Sequence, residues 1–202
     1  MIPNFISAIG LHSGGGLTYL YLLQSFLDKE HNTIILDHRV KQKFNFKKAR
    51  TIYLKKGLMR NVKIFLIRFW HHSKIFKNKK FNESNKIFLR EFILNGIPPF
   101  FRFNKTNTYV FCQNRLIFEN IYFTRKLLNR DFQAYSKTVI LLLITKSLFY
   151  LFLRHTDSIL VQTKTMKHIV ETKLDNTVLM QQELWGDFNK DTYKDIININ
   201  KI

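Results

Sequence analysis

Three short segments carry the residue types that could do chemistry. The first is Ser13-Gly14-Gly15-Gly16, a triple glycine between an apolar run and an amphipathic one. With no Cβ atoms in the way, such a turn lets backbone N–H groups approach a phosphate, and a following helix adds positive potential at its N-terminus. The same residues equally suit a tight strand-to-helix turn capped by Ser13, with no ligand. This is not a P-loop, because no Gly-Lys-Ser/Thr follows, and the G-x-G-x-x-G spacing of a dinucleotide site is absent. The second segment is Gln113-Asn114-Arg115, directly after the apolar run that ends at Cys112. Amides and a guanidinium at the carboxyl end of a parallel strand suit sugar hydroxyls and phosphates, through directional and bidentate hydrogen bonds. Ordinary loop polarity at a strand end is the other explanation. Val161-Gln162-Thr163 repeats the pattern at another strand end, and that recurrence favours a ligand crevice.

Other chemistries lack their residues. The seven histidines show no metal-ligand spacing; His71-His72 and His168 fall on helices as surface residues. No Ser/His/Asp or Cys/His arrangement stands out, and paired carboxylates are missing from the first two-thirds of the chain. Cys112 is the single cysteine, a small core residue in an apolar run, so a disulfide framework or a Cys-based zinc site is excluded. No metal is expected.

The charge balance is far from neutral: 33 Lys and Arg against 14 Asp and Glu give +19, with a pI of about 10.1. Between Arg39 and Lys105, 19 Lys and Arg stand against only Glu83 and Glu91, so the surplus is a local patch. It predicts an anionic partner, whether nucleic acid, an acidic membrane face or a phosphorylated substrate. Interleaved Ile, Leu, Phe and Trp mean that this stretch folds; a solvated face in a Lys-, Asn-, Ile- and Phe-rich composition explains it as well. A mean hydropathy of −0.15 excludes a multi-span membrane protein. The one candidate span, residues 138–153, would make a helix of about 24 Å, short of a hydrocarbon layer of ~30 Å. Lys146 also sits in its middle, so a buried or surface-lying helix fits better. Residues 1–10 lack a basic leader and are broken by Asn4 and Ser7, against a signal peptide. With one cysteine, this places the protein in the cytoplasm.

The elements that would position these residues follow from periodicity. Residues 5–11 form a short buried strand and 17–28 a helix, with Leu20, Leu23 and Leu27 facing inward. Residues 33–37 and 51–54 are further strands. Residues 58–76 form a helix whose Leu58, Val62, Phe65, Leu66 and Phe69 recur as an inward stripe. Its opposite face carries Arg60, Lys63, Arg68 and Lys74, with Ile64 and Ile67 among them. Residues 78–85 form a loop, 86–94 contain a strand, and Asn95-Gly96-Ile97-Pro98-Pro99 stops it. Strands at 108–112, 157–162 and 177–180 alternate with a long helical stretch to about residue 155 and a helix at 165–173. Continuous apolar strands alternating with helices predict an α/β fold, Rossmann-like, with a mostly parallel sheet covered by helices on both faces. Residues 1–181 make that domain, and 182–202 a polar tail or the start of an interdomain linker. No internal repeat is present.

In this order, several stretches resemble the N-terminal half of a family-4 glycosyltransferase of the GT-B fold, the group that builds bacterial surface polysaccharides. They are His12-Ser13-Gly14-Gly15-Gly16-Leu17, Asp37-His38-Arg39, Gly96-Ile97-Pro98-Pro99-Phe100, Val110-Phe111-Cys112-Gln113-Asn114-Arg115 and Ile159-Leu160-Val161-Gln162-Thr163-Lys164-Thr165-Met166. Together they run from about residue 5 to 180. The resemblance implies an acceptor-binding domain with the Ser13 to Gly16 loop near the donor diphosphate, and Gln113, Asn114, Arg115, Gln162 and Thr163 along the acceptor crevice. It implies a nucleotide-sugar donor as substrate and no other cofactor. The acceptor would be a lipid-linked glycan or polysaccharide. In such enzymes the donor sits mainly on a second Rossmann-like domain with paired glutamates. Nothing after Gln181 resembles that domain and Glu183 stands alone, so a truncated enzyme or a separately encoded donor domain is expected. Relatives often carry His or Asp where Gln113 falls, which leaves the catalytic residue unassigned. A basic acceptor domain would dock on an anionic inner leaflet, where each Lys or Arg adds about 1 kcal/mol. Arg60, Lys63, Ile64, Ile67, Arg68 and Lys74 are the candidate patch; an ordinary packed helix with a solvated face is its alternative. A nucleic-acid-binding module, or a membrane-surface module without catalysis, are the alternative functions, though no nucleic-acid recognition motif appears.

Overall fold

A computed structural model describes residues 4–12, 14–44, 46–57, 59–76, 89–94, 96–103, 106–118 and 132–180. Seven strands form one sheet: β1 (Asn4–Ala8), β2 (Asn32–Asp37), β3 (Arg50–Leu54), β4 (Leu89–Ile93), β5 (Thr106–Phe111), β6 (Ser158–Val161) and β7 (Val178–Met180). All pairings are parallel, in the order β3-β2-β1-β4-β5-β6-β7. The helices are α1 (Gly14–Leu27), α2 (Arg60–Phe76), α3 (Phe132–Phe152) and α4 (Lys164–Glu171), with 3-10 turns at His38–Val40 and Arg115–Ile117. The chain is therefore α/β and Rossmann-like, with helices on both faces of the sheet.

Burial explains why the strands are continuously apolar rather than alternating. Every residue of β1 is buried, and its side chains divide between two cores. Ile6 and Ala8 pack with Leu20, Leu23 and Leu27 of α1, together with Phe92, Phe111 and Leu160. Phe5 and Ile9 point the other way, with Ile35, against Ile64 and Ile67 of α2. A third cluster joins Val110, Ile159 and Val161 to Phe149 of α3 and to Met166 and Val170 of α4. Because Ile93 pairs with Val110, α2, α3 and α4 share one face and α1 lies on the other.

The inward face of α2 differs from the periodicity-based expectation. Ile64, Ile67, Arg68, His71 and His72 turn in, at i, i+3, i+4, i+7 and i+8, whereas Leu66 and Phe69 are 55% and 53% exposed. Val62 is exposed as well, and Leu58 lies outside the described residues. The cause is a carboxylate on the sheet. Glu91 of β4 is fully buried and bound by Arg68, which draws the mixed stripe inward and leaves the more apolar one outside. Ile64, Ile67 and Arg68 therefore do not belong to an outward patch.

The expected loop at 78–85 and the tail at 182–202 lie outside the described residues. Among the described residues, no helix is long and apolar enough to cross a membrane. The sheet reverses direction of growth at β1: β2 and β3 lie on one side of it, β4 and its successors on the other. Ligand crevices of open α/β sheets form outside the carboxyl ends of the strands at such a switch point.

Candidate functional site

At that switch point, the carboxyl ends of β1, β4 and β5 enclose a cavity of about 260 Å³. Gly10, Leu11, Leu94 and Gly96 form one side; Cys112, Gln113, Asn114 and Ile117 form the other, with Thr145 of α3 above them. A second cavity of about 210 Å³ adjoins it, lined by Gln162, Thr163, Thr165 and Met166 and again by Cys112 and Gln113. Gln113 is exposed and stands between the two. The amide cluster after β5 and the Gln-Thr pair after β6 thus meet on one rim, because β5 and β6 are adjacent and parallel.

Some of these side chains have local duties. The Thr163 hydroxyl accepts a hydrogen bond from the Met166 backbone N–H at 3.2 Å and caps α4. The Asn114 side-chain oxygen accepts from the Leu116 N–H at 3.0 Å and shapes the following turn. Arg115 opens that turn. Gln162 is half-buried beside them. Burial pushes the Cys112 thiol up to about 12, which disfavours the thiolate.

The glycine segment begins on the same rim, since β1 ends at Ala8 and α1 opens at Gly14. Ser13 lies outside the described residues. Gly14 and Gly15 form the first turn of α1, and Gly16 has a packing duty: a Cβ there would come within 3.1 Å of the Leu11 Cα. Gly10 is among the residues that line the cavity. Gly10 has φ 102° and Gly96 φ 76°, conformations that side chains rarely adopt.

Sequence reasoning assigned no role to several residues of this rim. Asp37, at the end of β2, accepts from Arg39 through its backbone N–H at 3.0 Å and through Nε and Nη2 at 2.8 Å each. These donors hold its carboxyl at about 2. Arg60 approaches the same carboxylate at 3.8 Å. The Asp-x-Arg spacing at a strand end was the available signal. Gly10 carried none beyond its residue type. Of the remaining patch residues, Lys63 and Lys74 are exposed, and Lys74 lies over the Trp70 ring at 5.4 Å. Among the described residues, no three His, Cys, Asp or Glu side chains gather as metal ligands.

No protein-family model, no curated protein and no solved structure matches this chain.

Proposed function

We propose that this chain is the acceptor-side half of a family-4-like glycosyltransferase of the GT-B type. It would work with a donor-binding unit to move a sugar from a nucleotide-sugar onto a lipid-linked glycan or polysaccharide, at the inner face of the cell membrane. The observation that carries this reading is Gln113, an exposed amide shared by two adjoining cavities along the carboxyl edge of a parallel sheet, the first of them at its switch point. Amide and hydroxyl groups from two strand ends can hold sugar hydroxyls in register, and Gln162 extends that row. The donor-binding unit is not among the described residues, so the test supplies one. Purified chain is mixed with donor-binding halves of GT-B enzymes, labelled nucleotide-sugars and a membrane lipid extract. Label entering the lipid fraction only when the chain is present supports the reading. Absence of transfer with every donor half, while the chain stays folded, removes it.

A second reading, a membrane-surface module without catalysis, is favoured by the exposed Met59, Val62, Leu66, Phe69 and Trp70 on a chain of charge +19. It predicts binding to anionic vesicles with no sugar transfer.

A further inference from the structure

The link between β4 and β5 departs from the rest of the fold. Parallel strands need a crossover, usually a helix, yet among the described residues of this link none is helical. Pro98-Pro99 explains this: proline lacks the backbone donor, and its ring forces the preceding residue out of helical geometry. Among the described residues, no helix fills the space between α2 and α3 over this part of the sheet. The space forms a groove of about 530 Å³ with a floor of Ser7 and Ile93, one wall of Val62 and Phe65 with the exposed Asn61 beside them, and another of Leu148 and Phe152. Phe100 and Phe101 form its lip, 61% and 51% exposed. Phe101 packs against Phe65 and Phe100 against Phe152, each with ring centroids 5.2 Å apart.

What the groove cannot offer identifies its occupant. Its one charged side chain, Arg68, donates to Glu91 Oε2 at 2.8 Å and to the Phe101 carbonyl at 3.0 Å. Apart from Asn61 and Ser7 the lining is aliphatic and aromatic, so a peptide laid in this groove would bury most of its backbone amides without partners, which is costly. A hydrocarbon chain has no such demand. The volume is that of a small-ligand site. Ile93 and Ile97 line the groove, while Leu94 and Gly96 of the same bend line the polar cavity. One amphiphile can therefore lie with its head at the crevice and its tail in the groove. The surplus of cations between Arg39 and Lys105 favours an anionic head.

We infer that the groove holds the hydrocarbon tail of a single anionic lipid, a phosphorylated acyl or isoprenoid chain. Resting on the sugar-transfer reading, this assigns the tail site of its lipid-linked acceptor. The test titrates the full chain with monoalkyl phosphates of increasing length, each below its critical micelle concentration, with no sugar nucleotide present. Expected is saturable one-to-one binding that tightens about fourfold per added methylene until the groove is filled. Val62→Asp and Phe101→Asp should weaken it at least tenfold, while Leu151→Asp, outside the groove on a residue 72% exposed, should not. Val62→Trp, which fills the groove without adding charge, should weaken it too and guards against a folding defect in the aspartate variants. Binding that ignores chain length, that falls equally in Leu151→Asp, or that occurs only on vesicles overturns the inference. Its failure would leave sugar transfer to a soluble acceptor untouched. Chain binding without any transfer would instead remove the proposed function and keep the groove.

Discussion

Arg68 of α2 and Glu91 of β4 meet where neither side chain reaches solvent, with exposures of 5% and 0%. The guanidinium adds a bond to the Phe101 carbonyl at 3.0 Å, so one pair ties a helix, the centre of the sheet and the lip of the apolar groove. Arg102 does the same on the other side. Its Nε donates to Asp157 at 2.9 Å and its Nη2 to the Phe152 carbonyl at 3.0 Å. These two arginines hold a link that has no helix among its described residues.

Removing one partner of such a pair strands a buried charge. Glu91→Ala is expected to cost about 3–5 kcal/mol in urea denaturation. The double variant Arg68→Met/Glu91→Leu should recover most of it. A loss below about 1 kcal/mol for Glu91→Ala would mean that other contacts fix the face of α2.

His71 and His72 give a pH dependence. Burial holds His71 down to about 4 and His72 to about 3, with cationic neighbours adding to each shift. The unfolded chain takes up these protons near pH 6.5 and the folded one only far lower, so stability is full above that value and declines as the pH falls. Each histidine should contribute a slope approaching 1.4 kcal/mol per pH unit between about pH 6 and 4. Denaturation midpoints at pH 7 and 5 measure this, and His72→Phe should flatten the curve. Equal midpoints would disprove it.

The crevice amides can be tested apart from stability. Gln113→Ala and Gln162→Ala are each expected to lower sugar transfer about tenfold, one hydrogen bond's worth, with an unchanged melting temperature. Transfer as fast as in the parent protein would remove these side chains from the site.

The outward face of α2 makes a prediction opposite to that of its inward one. Leu66→Asp and Phe69→Asp should abolish flotation with anionic liposomes while the fold survives, since each loses about 1.5–3 kcal/mol of apolar burial in the bilayer interface. Ile67→Asp, packed against Phe5 and Ile35, should unfold the protein instead. Unaltered flotation of the Leu66 and Phe69 variants would place membrane contact elsewhere.

Gly96 adopts φ 76° beside the Phe111 carbonyl. Gly96→Ala should cost about 1–2 kcal/mol from the left-handed backbone alone, read as a lower melting temperature. A neutral substitution would show that the bend relaxes.

The fold was legible because it depends on local signals. The apolar runs at 33–37 and 108–112 could only be buried strands, and Leu20, Leu23 and Leu27 share a helical stripe whichever layer covers them. The site was legible in part. Gln113 and Gln162 follow apolar runs, and in a parallel sheet such positions share one edge. The face of α2 was not legible, since both of its stripes have helical spacing and the outward one is the more apolar. Choosing between them required knowing that Glu91 lies opposite Arg68, 23 positions away in the chain.

Residue order and periodicity alone determined an α/β chain with parallel strands, a concentrated positive charge and polar clusters at strand ends, because each depends on neighbours within a few positions. Tertiary structure decided which cluster meets which, that Arg60 approaches Asp37, and that an apolar groove opens beside the polar crevice. Those outcomes come from contacts between segments distant along the chain, where a buried charge can outweigh the hydrophobic pattern of the helix that carries it.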